Sequence, residues 1–267
     1  MKNNKYKILV LSDLNKSTAL QLKSTVSLAK MMDGDITLLH VKKPTDIVER
    51  ESQLSAMRAI NENHIATNKK IEGLIRPIQE DFKQNVNYQV VIGNVKHEIE
   101  TYINDYQPDM IVLGRRKSKT LNFMGDNITG FVLKKYNGAI MIAAEQHALQ
   151  PNEDVTLGVL NTTDQSITTD FIEGFVNKTS QPIKAFKIVT NQTQSKNNIT
   201  DKTTEYVFEK GSKAVDNVSK YASESNINLM CFDNSKQDKS NTSIKKVISR
   251  LNVSLLLIGK NTTILPR

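Results

Sequence analysis

Tryptophan is absent from this 267-residue chain, and cysteine occurs once. A single thiol cannot close an intramolecular disulfide, so a disulfide-stapled scaffold is excluded and a reducing compartment is favoured. Cys231 lies in the apolar run 228–232, the usual setting of a buried structural thiol. Four histidines, His40, His64, His97 and His147, stand apart without metal-ligand spacing, which argues against a zinc site or a catalytic triad. No apolar run approaches the roughly 20 residues that span a bilayer. The N-terminal MKNNKYKILVLSD lacks the apolar length and cleavage site of a signal peptide and is interrupted by Asp13. The expected location is therefore cytoplasmic. A net charge of +8 comes from Lys and Arg spread along the chain, with no basic block interleaved with aromatics, so nucleic acid is not the expected partner. No residue set forms a general acid, base and nucleophile, and the expectation is a protein that is not an enzyme.

What the chain does have is a repeat. Residues 93–144 and 211–259 both run from a glycine through an amphipathic helix, an apolar strand, a polar basic loop and a second helix to a last apolar strand. Apolar runs predict strands at Tyr6–Ser12, Ile36–Val41, Val86–Ile92, Met110–Gly114 and Ala139–Ala144. Helices are predicted at Ser17–Met32, with Ser17 or Thr18 as cap, at Thr45–Asn85, broken once near Pro77, and at Val95–Asp105 and Asp126–Tyr136. The second half repeats the plan without the long second helix. Its strands are Val155–Leu160, Ile183–Val189, Glu205–Phe208, Asn228–Phe232 and Ser254–Ile258, and its helices Thr168–Asn177, Lys213–Ala222 and Ser243–Leu251. Alternating helices and nearly all-apolar strands indicate α/β architecture: two tandem open parallel sheets, five strands each, with helices on both faces. The domains are expected at 1–147 and 153–267, divided in the polar segment around Pro151.

Ligands of open parallel sheets bind beyond the carboxyl ends of the strands, where strand order reverses. Asp13 ends the first strand, Val41 the second, and the loop GRRKSKTLNFMGDN follows the fourth. A carboxylate can accept from an amino or hydroxyl group, and the Val41 backbone can pair with a purine edge. The loop brings Arg115, Arg116, Lys117 and Lys119, then Gly125 and the start of a helix, a combination suited to phosphate. Plainer roles stand beside these: Asp13 as a cap for the following helix, the cations as an exposed loop, Gly114 and Gly125 as turn residues.

The residues ILVLSD, the Ser/Thr-Ala-Leu helix start, LLHV, and DMIVLG followed by a basic loop, a glycine and a helix resemble the universal stress protein family. The resemblance covers residues 1–145 and continues faintly through the second half. It implies a five-stranded parallel α/β fold and, for nucleotide-binding members, a loop G-x2-G-x9-G-[S/T] that holds ATP. Carried over, the implied site is Asp13, Val41 and Gly114, with Arg116, Lys117, Gly125 and Asn127 toward the phosphates of ATP or another adenine nucleotide, and Mg²⁺ bridging Asp126. The loop departs from the pattern: Lys117 stands at the second glycine, and Gly125 comes two residues before the third, where Asn127 lies. The second half has Thr162 in place of Asp13 and no glycine from Asp233 to Thr242, so its site is expected to be lost. The implied role is a stress-response or regulatory protein. Its halves pair as an internal pseudo-dimer through Ala139–Ala144 and Ser254–Ile258, with a homodimer or another protein as further partner. The alternative is a scaffold of the same family that binds no nucleotide and acts through protein contacts.

Overall fold

A computed structural model describes residues 6–44, 53–115, 127–161, 178–189, 203–233 and 244–259. The predicted helix Thr168–Asn177 and the site candidates Arg116, Lys117 and Gly125 lie outside the described residues. Ten strands form one sheet in the order β3-β2-β1-β4-β5-β10-β9-β6-β7-β8. The first five are β1 (Tyr6–Leu11), β2 (Gly34–Lys42), β3 (Val86–Ile92), β4 (Met110–Gly114) and β5 (Ala139–Ala143). The others are β6 (Thr156–Leu160), β7 (Ser180–Val189), β8 (Thr203–Glu209), β9 (Leu229–Asp233) and β10 (Ser254–Ile258). Every pairing within each set of five is parallel; among the described residues the one antiparallel pair, β5 with β10, joins the sets.

The second set repeats the order of the first, β8-β7-β6-β9-β10 against β3-β2-β1-β4-β5, and the repeat extends to single hydrogen bonds. The Ser12 N–H donates to Leu39 O where β1 ends, and the Asn161 N–H donates to Phe186 O where β6 ends. Likewise the Gly93 N–H meets Lys42 O, and the Lys210 N–H meets Val189 O.

Among the described residues the helices are α1 (Thr18–Met32), α2 (Gln53–Phe82), α3 (Val95–Tyr106), α4 (Ile128–Lys135), α5 (Ala214–Glu224) and α6 (Ile244–Arg250). Strand residues alternate between two cores, as the two-residue period of a strand requires. Ile8, Val10, Met110 and Val112 join Leu22 and Val26 of α1 and Ile71, Ile75 and Ile78 of α2 on one face. Leu9, Leu11, Ile111 and Leu113 meet Val95 and Ile99 of α3 and Val132 of α4 on the other.

Several boundaries correct the expectations. Helix α2 continues through Pro77 rather than breaking there. Pro77 faces solvent while Ile71, Ile75 and Ile78 are buried, so packing holds both sides of the proline, and Gly73, whose carbonyl receives no N–H from Pro77, is exposed as well. Strands β7 and β8 are longer than predicted, since their mixed polar ends continue the ladder as far as Glu209. Helix α4 starts at Ile128 rather than Asp126, because Asn127, with φ 53°, caps it. Ser17 precedes α1 without a capping side-chain bond. The polar interdomain segment is packed: Leu149 is buried, and its N–H donates to the Ser24 hydroxyl of α1.

Candidate functional site

Strand order reverses between β1 and β4: from β1 the chain moves outward to β2 and β3, then returns to β4 on the other side. Asp13, Val41 and Gly114 all lie at the carboxyl edge around that point. The chain leaves β1 abruptly. Leu14 adopts a left-handed φ of 56°, a conformation costing a leucine roughly 1–2 kcal/mol. Local side chains hold it there: the Leu14 N–H donates to Ser12 Oγ at 3.1 Å, and Ser12 Oγ pairs with Thr18 Oγ1 at 2.9 Å.

This turn determines what the end of β2 presents. In a parallel ladder, alternate residues of a strand face the same neighbour. Leu39 O bonds Ser12 N on the β1 side, and Lys42 O bonds Gly93 N on the β3 side. Val41 therefore turns its N–H and C=O toward β1. Were β1 to continue, those groups would meet Ser12 O and Leu14 N. Instead His40 Nδ1 takes Ser12 O at 2.9 Å, and Leu14 N goes to Ser12 Oγ. Among the described residues no hydrogen bond reaches the Val41 N–H from that side. At the equivalent place in the second half, the Ile188 N–H is met by Asn161 Oδ1 at 2.8 Å. The shorter Ser12 leaves open in the first half what Asn161 closes in the second.

Asp13 is half-buried and accepts from the Asn15 N–H at 3.3 Å, while Asn15 Oδ1 in turn accepts from the Ser17 N–H at 2.7 Å. Asp13 thus shapes the loop before α1 and does not cap the helix. Gly114 ends β4 beneath Gln21 of α1; a Cβ at Gly114 would stand 3.3 Å from Gln21 Oε1. Gln21 is buried, and its Nε2 donates to Leu11 O at 3.0 Å and Val112 O at 3.1 Å, tying β1 to β4. Arg115 anchors its N–H on Ala143 O, and burial lowers its pKa, opposed by nearby Glu145. Asn127 Oδ1 accepts from the Gly130 N–H at 3.2 Å, so its carboxamide is committed to capping α4. A Cβ on Gly130 would meet that carboxamide at 2.7 Å, which accounts for the glycine there.

The structure thus brings together Asp13, Val41 and Gly114, assigns Asn127 to a helix cap, and adds Ser12, Gln21 and His40. Gln21 was detectable as a polar residue between Thr18, Leu22 and Thr25 on the apolar stripe of α1. The backbone N–H and C=O of Val41 and the half-buried carboxylate of Asp13 place a donor, an acceptor and an anionic acceptor along one edge of the sheet. Among the described residues no group of three or more His, Cys, Asp or Glu side chains is arranged to hold a metal ion. Nor is any described helix long and apolar enough to cross a membrane.

Comparison with known proteins matches residues 6–143 to the model of the universal stress protein family. A universal stress protein from Archaeoglobus fulgidus DSM 4304 superposes with a TM-score of 0.62 at 13% identity, covering 95% of this chain and 97% of that one. A functionally unknown protein from Pseudomonas aeruginosa PAO1 superposes with a TM-score of 0.57 at 12% identity, covering 98% and 95%. Both likenesses extend over the two halves together and concern the fold. No curated protein matches the chain.

Proposed function

The chain belongs to the universal stress protein family, and from that premise we propose that it is a cytoplasmic regulatory protein with an adenine-nucleotide site in its first half. The observation that carries this reading is the Val41 backbone: an N–H and a C=O on one residue, turned to the side that β1 vacates at Ser12. That pair matches the acceptor and donor on the Watson–Crick edge of adenine. Asp13 holds the sugar or the base. The phosphates extend past Gly114 toward the cationic loop of Arg116 and Lys117 and Gly125, with Mg²⁺ offsetting Asp126. Binding rather than catalysis is the role, since the edge gathers hydrogen-bonding groups and, among the described residues, no nucleophile and base in contact. The two domains span 1–147 and 153–267.

A second reading, a scaffold that takes no nucleotide and acts on a protein partner, has its own support. Asn127 is committed to capping α4, and Asn161 closes the corresponding edge of the second half.

Thermal unfolding with and without millimolar ATP, AMP and Mg²⁺ separates the two. A ligand that binds only the native state stabilises it, by about 2.7 kcal/mol at 100 times its dissociation constant. The expected result is a raised midpoint with nucleotide, lost in Asp13→Ala. An unchanged midpoint with every nucleotide would leave the scaffold reading.

A further inference from the structure

Gln21 has a feature that tying β1 to β4 does not use. It is 4% exposed, and the two protons of its Nε2 are both donated, to Leu11 O and Val112 O. Only the NH₂ end of a carboxamide can face two carbonyls, so these bonds fix its orientation and turn Oε1 the other way. Among the described residues no donor meets Oε1, which lies against Gly114, the glycine that ends β4. Thr25 Oγ1 donates to the main-chain carbonyl of Gln21, which further secures the residue.

Resting on the adenine-nucleotide reading above, we propose that Gln21 is a specificity-determining residue, its Oε1 accepting a hydrogen bond from a ribose hydroxyl of the bound nucleotide. A carboxamide oxygen only accepts, so the group that reaches it must be a hydroxyl or an amine and not a phosphate oxygen. Position along the edge selects between these. The base pairs at Val41 on β2, and the phosphates lie beyond β4. Gln21 spans β1 and β4 between the two, where the sugar falls. The absence of a Cβ at Gly114 keeps the oxygen within reach, which gives that glycine a role separate from turn geometry.

The test is calorimetric titration of the full chain with AMP, 2′-deoxy-AMP and 3′-deoxy-AMP. One deoxy analogue is expected to bind wild type about tenfold more weakly than AMP, the effect of one lost hydrogen bond. In Gln21→Met, which keeps the length but lacks the acceptor, AMP falls to the level of that analogue and the analogue is little changed. Gln21→Met also strips donors from two strand-end carbonyls, so Gly114→Ala serves as the second variant. It keeps both donated bonds while placing a methyl 3.3 Å from Oε1, and it is expected to remove the same discrimination. Equal binding of all three ligands by wild type, or discrimination that persists in a folded variant, overturns the role of Gln21 and leaves the nucleotide site standing. Wild type that binds no AMP overturns both.

Discussion

Single residues here are held by pairings that their chemistry makes sensitive to solvent conditions, and Tyr136 is the clearest case. It follows α4, and its hydroxyl donates to Pro108 O at 2.7 Å. Burial raises its pKa above the usual tyrosine value, and Asp109 raises it further by charge repulsion. A pKa raised by folding means that the native state keeps its proton where the unfolded chain loses it. The associated stability is present in full below about pH 10, the unfolded value. It is lost as pH rises through the folded value, because deprotonation then favours unfolding. Tyr136→Phe is expected to destabilise the protein by about 1 kcal/mol at pH 8 through the lost hydrogen bond. Its stability should then decline less than that of wild type between pH 9 and pH 11. Urea unfolding across that range checks the point, and parallel declines would remove Tyr136 as a source of alkaline sensitivity.

At the scale of elements, the pattern of apolar residues carried most of the information. β1, β2, β4 and β5 are runs in which nearly every side chain is buried, and such runs announce themselves within a few residues of their true ends. Asp13, Val41 and Gly114 were legible as site candidates for the same reason: they stand where those runs stop. His40 was not, and Gln21 stood out only as a polar residue on the buried stripe of α1; the importance of both depends on which strand ends they reach, and a one-dimensional pattern does not reveal neighbours. Asn127 also caps α4, a role its sequence did not separate from phosphate binding, because a capping carboxamide and a phosphate-binding one look alike in sequence.

Pro77 illustrates tertiary packing overriding propensity. A proline inside a helix costs roughly 3 kcal/mol relative to alanine, yet α2 runs from Gln53 to Phe82 across it. Ile71 and Ile78, both buried, hold the helix against the sheet on either side. Since Pro77 itself is exposed, Pro77→Ala restores the hydrogen bond to Gly73 O without disturbing the core. The variant is expected to gain about 1–3 kcal/mol in chemical denaturation. A loss of stability would mean that Pro77 contributes to the packing of α2 in a way that alanine does not replace.

For the whole molecule, the antiparallel seam between β5 and β10 sets the arrangement of everything else. Because each set of five is parallel and the seam is antiparallel, the carboxyl edges of the two halves lie at opposite ends of the sheet. A ligand at Val41 therefore does not touch the second half's edge, and that half serves the first by covering the β5 strand edge that would otherwise be open. The seam pairs Leu255 with Ile142, Leu256 with Met141 and Leu257 with Ile140, all essentially inaccessible. Both cores run through it without a break: Met141 and Leu256 share one, Ile140, Ile142, Leu255 and Leu257 the other. With no solvated gap between the halves, unfolding is expected to be a single cooperative transition. Leu256→Pro tests this directly. β10 has β5 on one side and β9 on the other, so the proline removes a ladder bond whichever way the N–H points. The expected cost is about 3 kcal/mol or more, with loss of a buried leucine side chain added. If the halves are one folding unit, amide exchange protection in β1 and β4, distant from the substitution, falls together with that of β9. Protection that survives in β1 and β4 while β9 opens would show that the first half folds by itself and that the seam only joins two finished sheets.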